Sequence, residues 1–206
     1  MAPSRSVSCT FTTFSKPASC NYSVKRIPFA VRKKAARIKL LLLDVDGVLT
    51  DGGIIIDDRG LETKRFNVRD GLGISLLLRA GIEVGFITGR SSRVVMKRAR
   101  ELKVRMVYQG VQDKAAIYVK IKNKLRLRDE EVAYIGDDIV DLAILREAGL
   151  GIAVQDGWPG LKRQVDHVTQ AQGGRGAVRE VAELLLRAQG KWNSLTDQYH
   201  RNRNSL

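Results

Sequence analysis

Asp44 and Asp46 stand one residue apart at the end of the apolar run Leu40-Leu41-Leu42-Leu43, and Gly47 follows at once. In an extended chain side chains alternate faces, so the two carboxylates fall on the same side. Like charges that close need a shared proton or a cation, and a divalent cation is the simplest answer. Three further groups complete a kit. Thr88 lies in Ile87-Thr88-Gly89-Arg90, Lys114 follows Gln109-Gly110-Val111-Gln112-Asp113, and Asp137, Asp138 and Asp141 lie in Gly136-Asp137-Asp138-Ile139-Val140-Asp141. Phosphoryl transfer uses such groups. A carboxylate nucleophile splits one hard step into two. Mg²⁺ binds through one or two carboxylates plus the phosphate. A lysine and backbone N–H groups neutralise the transferring oxygens, and a second carboxylate protonates the leaving alcohol and then activates water. Taken singly the residues have plainer readings: Thr88 as a helix N-cap, Lys114 as a solvated first-turn lysine. Asp138 either orients Lys114 or caps the helix that follows. Asp141, one helical turn beyond Asp137, can return to the same face.

These residues need a scaffold that gathers them, and the hydrophobic pattern supplies one. Apolar strands are expected at 38–44, 84–88, 106–108, 132–136 and 151–154, with a short one near Val168. Helical stretches alternate with them at 71–80, 91–102, 113–125, 140–148 and 177–189. That alternation is the pattern of an α/β domain with a Rossmann-like parallel sheet flanked by helices. Gly81 and Gly149 stand where helix stops are expected. Ligands of such sheets bind beyond the carboxyl ends of the strands, where Asp44, Thr88, Lys114 and Asp137 all fall. One insertion interrupts the alternation: Ile54-Ile55-Ile56, then Asp57-Asp58-Arg59-Gly60, then Leu61 to Phe66 read as a β-hairpin. It follows the first strand directly, where it can overhang the sheet edge or pair with another subunit.

The chain has 206 residues, 44% of them hydrophobic, enough for one domain with a sizeable core plus tails. The division expected is 1–36 as a basic leader, 37–190 as the catalytic domain and 191–206 as a polar tail. No apolar stretch has the length of a membrane span. The two cysteines, Cys9 and Cys20, both precede the core, so no disulfide framework holds it, which fits a reducing, cytoplasmic compartment. The net charge of +14 raises nucleic acid as a partner, but residues 1–39 carry nine Lys or Arg and no acid, leaving +5 for the rest. With 6% aromatics and no nucleic-acid motif, the distribution argues against that partner. The leader reads as a disordered segment, a misassigned start or an organellar transit peptide.

The four motifs Asp44-Val45-Asp46-Gly47-Val48, Thr88, Lys114 and Gly136-Asp137-Asp138 with Asp141 resemble, in order, those of the haloacid dehalogenase superfamily. The resemblance implies Asp44 as nucleophile and metal ligand, and Asp46 as general acid/base and a ligand through its carbonyl. Thr88 and Lys114 hold the phosphoryl group, and Asp137 completes a Mg²⁺ site. Members often carry a cap domain that selects substrate; here only the hairpin fits, so the chain is expected to have no cap.

Longer segments narrow the resemblance. Asp44 to Gly52, Phe66-Asn67-Val68-Arg69-Asp70-Gly71, Ile87 to Arg90 and Gly173-Gly174-Arg175-Gly176-Ala177-Val178-Arg179-Glu180 are similar to the family of 3-deoxy-D-manno-octulosonate 8-phosphate phosphatases. That family removes phosphate from an acidic eight-carbon sugar for lipopolysaccharide synthesis. It forms a homotetramer whose hairpins join, and a neighbour's carboxyl-terminal segment closes each site. The resemblance implies substrate contacts at Asp46, Asn67, Val68, Arg69, Asp70, Gly71, Arg90, Arg98 and Lys114, with Arg175 reaching across the interface. Arginine forks suit the carboxylate and phosphate of such a sugar, and Asn67 and Asp70 can bind hydroxyls. Ser75 stands where some relatives have another arginine. Alternatives are an acylneuraminate 9-phosphate phosphatase, a broader sugar phosphatase and, from a different class, a basic nucleic-acid-binding protein without turnover.

Overall fold

The computed structural model describes residues 27–199. Its centre is a six-stranded parallel sheet in the order β5-β4-β1-β6-β7-β8. The strands are β1 (Leu40–Leu43), β4 (Glu83–Ile87), β5 (Met106–Tyr108), β6 (Val132–Gly136), β7 (Leu150–Ala153) and β8 (His167–Val168). The leucine run is buried throughout because β1 is flanked on both sides and covered on both faces. Its period-2 alternation divides the core. Leu41 and Leu43 join a cluster with residues of α1 (Phe29–Ala35), α2 (Val68–Arg79), α3 (Arg93–Glu101) and α7 (Ala177–Ala188). Leu40 and Leu42 face α4 (Lys114–Leu125), α5 (Leu142–Glu147) and α6 (Pro159–Lys162). The result is three layers, helix on sheet on helix. Among the described residues no helix is long and apolar enough to cross a membrane.

Chain order reverses beside β1: the chain moves outward to β4 and β5, then returns to β6 on the other flank. Leu43 pairs with Ile135, so Asp44 and Asp137 leave the sheet side by side at the switch point, where ligands of such sheets bind. The inserted hairpin pairs β2 (Ile55–Ile56) with β3 (Glu62–Thr63), antiparallel. Its turn is built by Asp57, whose Oδ1 accepts the N–H groups of Arg59 (3.0 Å) and Leu61 (2.8 Å), with Gly60 at φ 75°.

Two expected boundaries change. The ordered domain begins before residue 37, because α1 buries Val31 and Ala35 against the core. The basic residues of this stretch had masked its helical spacing. At the other end the chain is not loose from 191: α8 (Trp192–Thr196) follows, and Trp192 and Leu195 pack on the same cluster. Arg187 lies 4.7 Å over the Trp192 ring. Of the expected leader, residues 1–26 lie outside the described residues. Gly81 ends α2 in the left-handed region at φ 77°, as a helix stop does. Gly149 serves differently: a Cβ there would sit 2.4 Å from the Glu130 Cα, so glycine permits backbone approach.

Candidate active site

The loop after β1 is shaped by its own polar groups. Asp44 Oδ1 accepts the Val45 N–H at 2.7 Å, and Thr50 N donates to the Val45 carbonyl at 3.1 Å, closing a tight turn. Gly47 adopts φ 90°, and a Cβ there would meet Asp137 Oδ2 at 2.1 Å. Glycine is therefore required twice, for the left-handed turn and for the approach of the β6 carboxylate. From the other side, Gly174 N donates to the Val48 carbonyl at 2.8 Å, and a Cβ on Gly173 would fall 1.7 Å from the Gly47 oxygen.

Lys114, in the first turn of α4, has its Nζ 2.9 Å from Asp44 Oδ2 and 2.7 Å from Asp141 Oδ1. Asp141 is wholly buried and fully engaged. It also accepts the Tyr134 hydroxyl at 2.6 Å and the Asp137 N–H at 3.0 Å. Asp141 thus orients Lys114, whereas exposed Asp138 accepts the Ile139 N–H at 2.7 Å and caps a short 3₁₀ turn. Carboxylate oxygens of Asp44, Asp137 and Asp141 lie within 4.8 Å of one another.

So close a cluster titrates abnormally. Burial, with the Asp141 charge adding, pushes Asp44 up to about 6 against the pull of Lys114. Burial and then repulsion from Asp44 and Asp141 push Asp137 up to about 7. For Lys114, burial acts downward, but Asp44 and Asp141 outweigh it and hold the ammonium above its ordinary value. Hard oxygen donors gathered at this cost fit a divalent cation. Since Asp141 is spent on Lys114, Tyr134 and backbone donors, Asp44 and Asp137 are the carboxylates that could hold it.

The Asp46 side chain is not one of this trio. Its Oδ1 pairs with Lys64, just past β3, and its Oδ2 is buried without a hydrogen-bond partner. Thr88 is also buried; its Oγ1 accepts the Arg90 N–H at 3.3 Å, and its backbone is fixed by Tyr108 and Val111. Arg90 reaches Glu62 of the hairpin at 3.2 Å. Ser92, Lys64 and Arg90 together hold Glu62 below the usual carboxylate range.

Several of the expected substrate contacts have partners within the fold itself. Asp70 is 1% exposed, and its two oxygens accept the N–H groups of Gly176 (3.1 Å) and Arg179 (2.8 Å), so it caps α7. Burial raises its pKa despite those donors. Gly71 is buried, and a Cβ there would strike Arg98 Nη2 at 2.3 Å. Asn67 Oδ1 accepts the Arg69 N–H at 2.8 Å as the N-cap of α2. Arg98 lies past the first turn of α3, paired with Glu101 at 2.8 Å and 5.8 Å from the Phe66 ring. Val68, Arg69 and Arg175 are exposed. Lys64, Glu62 and Tyr134 are additions. The alternation of a hairpin marks Lys64 only as one more surface charge, and Tyr134 hides within an apolar strand.

Residues 104–180 match the haloacid dehalogenase-like hydrolase family. Together with the sheet order and the carboxylate edge, that match makes the chain a haloacid dehalogenase-like hydrolase. It is 47% identical over 165 residues to the 3-deoxy-D-manno-octulosonate 8-phosphate phosphatase of Escherichia coli (strain K12), covering 80% of this chain and 88% of that protein. The solved Moraxella catarrhalis phosphatase of the same name, in complex with magnesium, phosphate and KDO, aligns with a TM-score of 0.81. Identity there is 45%, covering 82% of this chain and 97% of that one. The Yersinia pestis structure aligns at 0.79 with 45% identity, covering 79% and 88%. The chain belongs to the 3-deoxy-D-manno-octulosonate 8-phosphate phosphatase family.

Proposed function

We propose that this protein hydrolyses 3-deoxy-D-manno-octulosonate 8-phosphate to the free sugar acid and phosphate, using Mg²⁺. The observation that carries the reading is the Asp44–Lys114–Asp141 arrangement beside Asp137 at the switch point, in a chain 47% identical to the Escherichia coli (strain K12) bearer of that name. Asp44 and Asp137, with the Asp46 carbonyl, would hold the cation, which when bound neutralises phosphate charge. The Asp44 carboxylate attacks phosphorus as the P–O bond to the sugar breaks, and Asp46 delivers a proton to the departing oxygen. Water then gives its proton to Asp46 and attacks the aspartyl phosphate, releasing phosphate and restoring Asp44. Thr88 and Lys114 hold the phosphoryl oxygens throughout. Arg69 and Arg90 are the arginines suited to the sugar carboxylate, because both stand exposed near this edge.

The test is phosphate release with Mg²⁺ from the octulosonate phosphate and from acylneuraminate 9-phosphate, for the wild type and Asp44→Asn. Equal activity of wild type and variant sinks the mechanism; a higher kcat/KM on the nine-carbon substrate moves the assignment to the alternative.

A homotetramer joined through the hairpins is part of this reading, as is a cytoplasmic setting. The hairpin exposes Ile54, Ile55, Ile56 and Leu61, each more than half accessible, an apolar surface that a second copy would cover. Exposed Arg175 is the residue suited to reach a neighbour's site. Ile55→Asp should yield a smaller species by light scattering, and an unchanged mass would remove the hairpin from the interface.

A further inference from the structure

Lys64 is the least expected residue of the hairpin. The residues beside it, Thr63 and Arg65, are exposed, whereas its own side chain is 1% exposed. An ammonium is withdrawn from water only where carboxylates receive it. Here there are two: Asp46 Oδ1, in close contact, and Glu62 Oε1 at 3.2 Å. Glu62 is itself tied to the loop after β4, accepting from Arg90 at 3.2 Å. A continuous chain of charge therefore runs from the loop after β1, through the hairpin, to the loop after β4.

The far end of that chain is informative. Asp46 Oδ2 is the only buried side-chain oxygen or nitrogen among the described residues that lacks a hydrogen-bond partner. Such an atom is costly unless something else meets it. A carboxylate turns about its last bond with little resistance, so a donor gripping one oxygen determines where the other points. We infer that Lys64, braced by Glu62, is a positioning residue for Asp46, fixing Oδ1 so that Oδ2 faces the oxygen leaving phosphorus. The inference rests on the reading of Asp46 as general acid/base. It gives the hairpin a role inside its own subunit, in addition to any role between subunits. Lys64 Nζ pairs with Asp46 and Glu62 and with neither Asp44 nor Asp137, so its influence passes through Asp46.

Leaving-group dependence separates this role from simple support of the fold. Departure of a sugar alkoxide needs a proton, whereas p-nitrophenyl phosphate expels a stable phenolate. Lys64→Met should lower kcat on the sugar phosphate by about 10²-fold, the scale of general acid catalysis, but on the aryl phosphate by less than about 5-fold. KM for the sugar phosphate should stay within about 3-fold, as for a contact that acts only in the transition state. Lys64→Arg should recover most of the loss, and Glu62→Gln should show the same selective loss more weakly. Equal losses on both substrates, a loss confined to KM, or no recovery in Lys64→Arg overturns the inference. If Lys64→Met does not fold, Glu62→Gln decides it: no leaving-group selectivity in that variant refutes it. Asp46→Asn is the reference. Should it fail to discriminate between leaving groups, the acid/base reading itself falls and takes the inference with it. Should it discriminate while the Lys64 and Glu62 variants do not, only the inference falls.

Discussion

Stripping divalent metal and raising the pH should destabilise this protein, opposite to the trend expected of salt-bridged carboxylates. Asp44 rises from 3.8 to about 6 and Asp137 from 3.8 to about 7, mainly through burial and mutual repulsion. Between pH ~4 and ~7 the folded state therefore binds more protons than the unfolded chain, and stability falls as pH rises through that window. At 1.36 kcal/mol per pH unit, the two rises correspond to ~3 and ~4 kcal/mol. Part of each is the same repulsion, so the combined loss is about 3–5 kcal/mol. Asp70, also raised by burial, acts in the same direction. Carboxylates held low, such as Glu131 at about 2, lose their contribution below pH ~4.5, outside this window. For a domain of this size the loss amounts to a fall in Tm on the order of 10 °C. The assay is thermal unfolding in EDTA from pH 5 to 8, repeated with excess Mg²⁺. The cation replaces the protons, so Mg²⁺ should restore most of the loss at pH 8 and little at pH 5, where it must displace them. A metal-free Tm that is flat or rises from pH 5 to 8, or equal stabilisation by Mg²⁺ at both ends, would refute the reasoning.

Other outcomes follow from single contacts. Asp141→Ala leaves Lys114 and the Tyr134 hydroxyl buried without their shared carboxylate; urea titration should show a loss of ~3 kcal/mol or more. Asp70→Ala should cost ~1–2 kcal/mol through the α7 cap while leaving KM for the sugar phosphate unchanged; a large rise in KM would make Asp70 a substrate contact as well. Gly173→Ala must push the loop after β1 away from its Cβ, 1.7 Å from the Gly47 oxygen. Displacing the nucleophile by about 1 Å lowers kcat by ~10²-fold, with an unchanged far-UV spectrum as the check that the sheet persists.

The sequence was most legible where one local rule had no competitor. Four consecutive leucines ending in Asp44-Val45-Asp46 can be little else than a central parallel strand with chemistry at its carboxyl end, and periodicity alone delivered the other strands with shifts of one or two residues at their ends. The partners that Asn67, Asp70 and Gly71 find within the fold were not legible. Asn67 caps its own helix, as its type allows, but the partners of Asp70 and Gly71 come from α7 and α3, distant in sequence.

By itself, then, the sequence determined the parallel sheet, its order of elements and the carboxylates, hydroxyl and ammonium at the strand ends, because hydrophobic period and turn residues are local properties. Only the tertiary structure decided how those groups divide the work. It gave Asp141 to Lys114 and left Asp137 beside Asp44, and it turned Asp46 toward Lys64 on the hairpin. It also made Asp70 a cap. Those outcomes depend on which charges burial brings within 3 Å of each other, and in a buried site each carboxylate takes the nearest donor, wherever in the chain that donor lies.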